Sequence, residues 1–238
     1  MFDLFRKKAI SLHSVEVLYK KTIALGSRNA IRSKVEIVAI DDNEFHPETN
    51  LRNSGFNIRS LKDINLISDV EPFSIVLCDV SGIGVSLSAD TQGAYVIEEI
   101  KSAYPEKIVI AYTAGSVLSK IVQRAKAAAD FDLKKDASIE DWRDLLDNCI
   151  GQLTNPIEAW KNLRIRLLSK GIELEELMRL EQIVLRNVGG SSAETKEALI
   201  KELAKDKGGS PWKSEFGKFL GSKAFDVAFT LAASSVAT

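Results

Sequence analysis

Short apolar runs alternate with helical stretches over the first 136 residues of the chain. The four clearest runs are rich in Val and Ile, and they are Val35–Ile40, Phe73–Cys78, Ile108–Tyr112 and Phe131–Leu133. Runs this short, when helical stretches separate them, are typical of buried parallel strands in an α/β fold. The pattern therefore predicts a doubly wound parallel sheet in the first part of the chain.

Each of these runs ends beside side chains that could take part in metal or phosphate chemistry. In chain order these side chains are Asp41, Asp42, Asp79, Thr113, Lys134 and Lys135. The carboxyl ends of parallel strands gather along one edge of an open sheet, where ligands bind. We therefore expect acids, a hydroxyl and an ammonium group to converge on one site. This combination suits a divalent cation and a phosphoryl group.

The three acids admit two interpretations. Mg²⁺ usually takes one or two protein carboxylates and keeps several waters, so Asp42 and Asp79 could bind it while Asp41 holds a metal-bound water. Alternatively, the acids only cap helices that follow the strands, because Asp is a common N-cap residue. The complete set, with Thr113 and a lysine in the expected order, favours the metal and phosphate site.

The ordered set of acids, hydroxyl and lysine resembles the receiver (CheY-like) domain of two-component response regulators over about residues 34–153. The segment Gly93–Lys101, which is followed by Pro105, is similar to the third helix of that family and the approach to its fourth strand. The resemblance implies a flavodoxin-like sheet of five parallel strands with helices on both faces.

The resemblance also implies roles for individual residues. Asp79 would accept the phosphoryl group, and Thr113 and a lysine after the fifth strand would sense it and pair with it. The implied cofactor is Mg²⁺, held by Asp41, Asp42, Asp79 and the backbone carbonyl of Ser81.

Two neighbouring lysines are candidates for the phosphate-pairing position. Alignment of Ser138–Trp142 with the start of the fifth helix of the family selects Lys135, whereas alignment of Phe131 with the usual switch aromatic selects Lys134. We expect Lys135, because the downstream register then needs no gap. The aromatic side chain that moves with the sensing hydroxyl would be Phe131 or Tyr112.

The loop between Asp79 and Gly93 departs from the family pattern. It is longer than usual, it carries Gly82 and Gly84, and it lacks the usual Met-Pro pair. Such a loop could form a flexible lid over the site.

Charge divides the chain into three segments. Residues 1–34 hold eight basic and two acidic residues, residues 35–150 hold eleven and twenty, and residues 151–238 hold thirteen and eleven. The acidic segment coincides with the receiver-like region, as expected for a module that binds a cation. The basic segment could bind nucleic acid or an anionic membrane, but packing on an acidic protein surface is the simpler interpretation.

We predict three parts along the chain: a basic helical arm at 1–33, the receiver-like domain at 34–153, and a helical output or interaction domain at 154–238. Apolar residues at helical spacing run through the last part, and such helices must bury one face, so we expect a small all-α bundle with a possible homodimer interface. No DNA-reading motif or basic stripe is evident there, so we do not expect a nucleic acid as a partner. The apolar tail, residues 224–237, is too short and too interrupted to span a membrane.

Composition narrows the class of protein. Apolar residues make up 45% and charged residues 27% of the chain, as in ordinary globular proteins. The two cysteines lack metal-ligand spacing, and the N-terminal residues lack the apolar core of a secretory signal, so we expect a cytoplasmic protein.

These observations favour a phosphorylation-controlled signalling protein rather than an enzyme. Its expected partners are a histidine kinase or phosphotransfer protein and a downstream protein. Two alternatives remain open, namely a pseudo-receiver scaffold that is not phosphorylated and an aspartyl-phosphate phosphohydrolase. The second of these usually places an acid two residues after the nucleophile, where this chain has Ser81.

Overall fold

The computed structural model of the protein describes residues 10–14, 16, 31–114, 119–187, 191–205, 208–222 and 225–229. The described residues form two compact units. One unit holds residues 31–153, and the other holds the described residues of segments 10–16 and 154–229.

The first unit is built on a sheet of five parallel strands in the order β2-β1-β3-β4-β5. The strands are β1 (Glu36–Ile40), β2 (Asn57–Leu61), β3 (Ile75–Asp79), β4 (Ile108–Thr113) and β5 (Phe131–Lys134). This order is that of the flavodoxin-like doubly wound fold, and it confirms the predicted fold class. The three central strands are almost completely buried, which explains why the sequence shows them as uninterrupted apolar runs.

Three helices and a short 3-10 helix connect the strands, and a fourth helix follows β5. The helices are α1 (Glu48–Asn53), α2 (Gln92–Ala103), α3 (Lys120–Ala128) and α4 (Ile139–Leu153), and the 3-10 helix is Ile67–Val70. Helix α1 is short because Pro47 precedes it and Gly55, which has a φ of 89°, follows its end. Aliphatic side chains from the central strands and from α2 and α3 form the core under one face of the sheet.

The strand order reverses next to β1, because the chain places β2 on one side of it and β3 on the other. Ligands of open α/β sheets bind at such a point, outside the carboxyl ends of the strands. The residues that follow β1 and end β3 therefore face the same crevice, and these residues include Asp41 and Asp79.

The second unit is helical in all of its described elements. Its helices are α5 (Pro156–Ser169), α6 (Leu174–Asn187), α7 (Ser192–Leu203) and α8 (Pro211–Gly221), and residues 225–229 are also helical. Helix α5 begins as its sequence predicts, because the side chain of Asn155 accepts hydrogen bonds from the N–H groups of Ile157 (3.0 Å) and Glu158 (3.3 Å).

Apolar faces of these helices meet in one core. Its members include Trp160, Leu163, Leu167, Leu177, Leu180, Trp212, Phe216, Phe219, Phe225 and Phe229. The all-α character predicted for this part of the chain is therefore confirmed. The predicted basic helical arm, residues 1–33, lies outside the described residues apart from 10–14, 16 and 31–33. Among the helices that are described, none has both the length and the apolar character needed to cross a lipid bilayer.

Candidate functional site

Three charged side chains meet at the carboxyl edge of the sheet. The Lys135 ammonium lies 2.7 Å from Oδ2 of Asp79 and 2.9 Å from Oδ2 of Asp41, so it bridges the two carboxylates. Asp41 is 0% exposed and Asp79 is 3% exposed, whereas the Lys135 side chain is 25% exposed. The site is therefore a partly buried cluster in which one cation neutralises two acids only in part.

A third acid, Asp42, brings the carboxylates to three. One carboxylate oxygen from each of Asp41, Asp42 and Asp79 lies within 4.8 Å of the other two. Asp42 is exposed, and its Oδ1 accepts a hydrogen bond of 2.7 Å from the side-chain amide of Asn43. Hard divalent cations prefer oxygen ligands, and one lysine leaves excess negative charge on this cluster. The donor set therefore fits Mg²⁺.

Asp41 is held by several donors besides Lys135. The N–H of Asn43 donates to its Oδ1 at 2.9 Å, and the hydroxyl of Tyr112 donates to its Oδ2 at 3.0 Å. Burial alone would raise the pKa of Asp41, but the hydrogen bonds from Lys135, Asn43 and Tyr112 together outweigh burial and lower that pKa. Asp41 is therefore kept as a carboxylate.

Asp79 has fewer donors and the opposite shift. Burial raises the pKa of Asp79 above its ordinary value, and the hydrogen bonds from Lys135 and from the N–H of Ser81, at 3.2 Å, offset only part of that effect. Lys135 responds to both acids, because burial would lower its pKa but Asp41 and Asp79 raise it overall. The ammonium form that bridges the two acids is thus favoured.

Tyr112, one of the two candidates for the mobile aromatic, lies beside the acids. It is 0% exposed and packs against Phe45 and Trp142, with ring centroids 5.5 Å from each. Its hydroxyl bonds Asp41, and burial together with the nearby Asp41 charge raises the pKa of Tyr112 well above its ordinary value. A tyrosine in an otherwise aliphatic buried run was the available signal, since a buried hydroxyl needs a partner.

Thr113 and Lys134 lie at the ends of the neighbouring strands β4 and β5, and Lys135 directly follows β5. Thr113 ends β4 and is buried, its register partner on β5 is Lys134, and its carbonyl accepts a hydrogen bond of 3.2 Å from the N–H of Lys135. Of the two lysines left open by the sequence, Lys135 contacts the carboxylates, whereas Lys134 is exposed at the end of β5. The segment 115–118, just beyond Thr113, lies outside the described residues.

Ser81 is next to the site, and the contact it makes with Asp79 is through its backbone N–H. The role of its carbonyl as a metal ligand stays a prediction. Phe131, the other candidate for the mobile aromatic, begins β5 opposite Ile110 and is partly exposed.

Comparisons with known proteins find likeness only among solved structures. No protein-family model and no curated protein matches the chain. A response regulator from Thermotoga maritima is similar at 18% identity, with 49% of this chain and 98% of that chain covered and a TM-score of 0.39.

Two further solved structures show the same level of likeness. A CheY-like receiver domain protein from Methanospirillum hungatei JF-1 is similar at 16% identity, covering 49% of this chain and 94% of that chain with a TM-score of 0.42. The receiver domain of NtrX from Brucella abortus is similar at 16% identity, covering 49% and 98% of the two chains with a TM-score of 0.41. These structures are too distant from this chain to support the fold assignment, which therefore rests on the strand order alone. By its strand order, the unit of residues 31–153 has the flavodoxin-like fold that receiver domains share, so the predicted resemblance is confirmed at the level of the fold.

Proposed function

We propose that residues 31–153 act as the receiver of a two-component signalling protein and accept a phosphoryl group on Asp79 in the presence of Mg²⁺. The observation that carries the proposal is the position of the Lys135 ammonium, 2.7 Å from Asp79 and 2.9 Å from Asp41. A helix-capping role for the acids does not require a lysine between them. A phosphoryl acceptor does require one, because the transferred group brings additional negative charge.

The proposed transfer is a displacement at phosphorus. An oxygen of the Asp79 carboxylate attacks the phosphorus atom of a phosphoimidazole or an acyl phosphate, and a new P–O bond forms. The P–N or P–O bond to the donor breaks, and the donor leaves with the electron pair. Lys135 stays close to Asp79 and pairs with the phosphoryl oxygens as a compact charge. A carboxylate is a weak nucleophile, so the site must reduce negative charge during the approach.

Mg²⁺ would contribute charge neutralisation and orientation of the phosphoryl group when it is bound. Asp42 and Asp79 would supply carboxylate ligands, Asp41 would hold a metal-bound water or bind directly, and the Ser81 carbonyl would complete the set. The hydroxyl of Thr113, at the end of β4, would then donate to a phosphoryl oxygen.

We infer that a histidine kinase or phosphotransfer protein supplies the phosphoryl group. The helical unit would convey the signal to a downstream protein or to a second copy of this chain. A cytoplasmic location belongs to the same proposal, and the free, buried thiols of Cys78 and Cys149 are compatible with a reducing compartment.

A small acyl-phosphate donor tests the proposal. We expect incubation with that donor and Mg²⁺ to add the mass of one phosphoryl group to the intact protein, and we expect chelation of Mg²⁺ to prevent it. Asp79→Asn should abolish labelling, whereas Asp144→Asn, at an exposed position on α4, should label like the wild type. Full labelling of Asp79→Asn would contradict the assignment of the acceptor.

The same experiment distinguishes the alternatives. A pseudo-receiver scaffold would remain unlabelled with or without Mg²⁺. A phosphohydrolase would release inorganic phosphate from the donor in many turnovers instead of retaining one group. At the position two residues after Asp79, Ser81 presents its backbone N–H to the acid and has no carboxylate of its own, which supports retention over turnover.

A further inference from the structure

The long loop between β3 and α2 is fastened at three successive residues. The N–H of Gly82 donates to Oε1 of Gln92 at 2.9 Å, and the N–H of Gly84 donates to Oδ1 of Asp63 at 2.8 Å. Between them, Ile83 is 0% exposed and belongs to the core of the unit. A segment with these contacts differs from the flexible lid considered from the sequence, because opening it would expose Ile83 and break both hydrogen bonds.

The backbone of Gly82 lies close to the carboxylate of Asp42, the exposed acid of the site. Its φ is 83°, and a Cβ atom at this residue would lie only 2.5 Å from Oδ2 of Asp42 and 2.8 Å from its Cγ. The other oxygen of Asp42 accepts the hydrogen bond from the Asn43 amide. The Asp42 carboxylate is therefore confined between a side-chain amide on one side and the Gly82 backbone on the other.

Gln92, which accepts the hydrogen bond from Gly82, has an unfavourable backbone conformation. It is the only non-glycine residue with a positive φ, 45°, in the part of the chain that the structure describes. Unbranched side chains such as glutamine rarely adopt this region, and residues in it persist where the surroundings impose them. Here the N–H of Gln92 donates to the Ser88 carbonyl at 2.8 Å, and the following residue, Gly93, packs on the backbone of Asp79.

We propose that Gln92 is a positioning residue that holds Gly82 against the Asp42 carboxylate and thereby sets the affinity of the site for its divalent cation. The inference rests on the proposed function, since it concerns the same acids. In this arrangement the loop is rigid and forms one side of the metal site. A carboxylate held in one orientation loses less freedom on binding a cation, so outer residues that hold ligands change metal affinity.

Two substitutions separate this role from a structural one. Gln92→Gly removes the acceptor for the Gly82 N–H, but glycine adopts a positive φ without strain, so the melting temperature should not fall. The Kd for Mg²⁺, measured by calorimetric titration, should nevertheless rise about tenfold. Gln92→Glu keeps an acceptor oxygen at the same reach, so the Kd of this variant for Mg²⁺ should be no higher than that of the wild type.

Amide hydrogen exchange gives a readout that needs no metal. We expect the Gly82 amide to exchange slowly in the wild type and in Gln92→Glu, and at least tenfold faster in Gln92→Gly. Unchanged exchange at Gly82 in Gln92→Gly would overturn the proposed contact, and an unchanged Kd in that variant would overturn its role in affinity.

The failure of this inference can be distinguished from that of the proposed function. If the wild type binds Mg²⁺, Asp42→Ala does not, and Gln92→Gly binds like the wild type, only the positioning role is wrong. If the wild type does not bind Mg²⁺, the metal requirement of the proposed function and the positioning role are both wrong.

Discussion

The hydroxyl of Tyr112 donates a hydrogen bond of 3.0 Å to Oδ2 of Asp41, and both side chains are 0% exposed. The tyrosine ring is fixed by edge-on contact with Trp142 and by Phe45, so the hydroxyl has little freedom to leave its acceptor. This pair connects the acids at the sheet edge to the aromatic cluster beneath them. It gives the first of five predictions.

Tyr112→Phe removes one oxygen atom and keeps the aromatic packing. Asp41 would lose one of the donors that hold it ionised, so we expect its pKa to rise and the free energy of unfolding to fall by about 1 kcal/mol. Urea denaturation measures the loss of stability, and NMR titration of the Asp41 carboxyl measures the pKa. An unchanged pKa of Asp41 would show that the hydroxyl does not bond the acid in solution.

Lys135→Met removes the cation that bridges two acids. Because the lysine side chain is 25% exposed, we expect a loss of about 1–3 kcal/mol in the free energy of unfolding rather than the larger value of a fully buried pair. The site also becomes more negative, so its affinity for Mg²⁺ should increase. Lys134→Met is the matched control, because Lys134 is exposed, and equal effects in both variants would contradict the assignment of the lysine.

The two buried acids should respond oppositely to pH. The pKa of Asp41 is lowered in the folded protein, so its contribution to stability is present above the ordinary carboxyl pKa and is lost as pH falls. The pKa of Asp79 is raised, so this group disfavours the fold as pH rises through its folded value.

At neutral pH and without Mg²⁺, we therefore expect Asp41→Asn to destabilise the protein and Asp79→Asn to stabilise it. The Asp79 difference should shrink as pH falls toward the ordinary carboxyl pKa of about 3.9, whereas the Asp41 difference should shrink only below that value, because the folded pKa of Asp41 is lowered. Unfolding free energies measured across this range provide the check. A loss of stability in Asp79→Asn that grows with pH would contradict the sign of the Asp79 shift.

The two cysteines should be unreactive in the folded protein. Burial raises the pKa of Cys149 to about 12, so only about one part in ten thousand is thiolate at pH 8. Burial and the neighbouring acids raise the pKa of Cys78 as well. We expect neither thiol to react with an aromatic disulfide reagent until denaturant is added, when both should react. Rapid reaction of one equivalent without denaturant would show that the core opens near that thiol.

The last prediction concerns the relay of the signal. If the helical unit responds to phosphorylation, beryllofluoride, a mimic of the acyl phosphate, should alter hydrogen exchange in residues 155–187 as well as around Asp79. Thr113→Ala should suppress the change in residues 155–187 and retain the change around Asp79, because the hydroxyl senses the phosphoryl group without carrying it. Unchanged exchange beyond residue 150 would favour the scaffold alternative.

The central strands could be predicted because burial on both faces leaves an uninterrupted aliphatic run, as in Ile75–Asp79. Strand β2 was less evident, since this edge strand alternates buried and exposed residues over only five positions. The acids could be predicted as a group from the sheet geometry, and the structure brings them together. The partner of the Tyr112 hydroxyl could not, because Asp41 lies 71 residues away in the sequence. The positive φ of Gln92 could not either, because the folded loop imposes it on a residue type that rarely adopts it.

An ion pair also joins the beginning of the first unit to its last helix. The Arg32 guanidinium donates to both carboxylate oxygens of Asp147 on α4, at 2.7 and 2.6 Å, and it donates to the Ser54 carbonyl and lies over the Phe56 ring. A bidentate pair of this kind is directional and is more than a general surface attraction. An isolated fragment that starts at residue 34, where the resemblance to receivers begins, would lack Arg32 and its ion pair with Asp147. A fragment for expression and crystallisation should therefore begin upstream of Arg32.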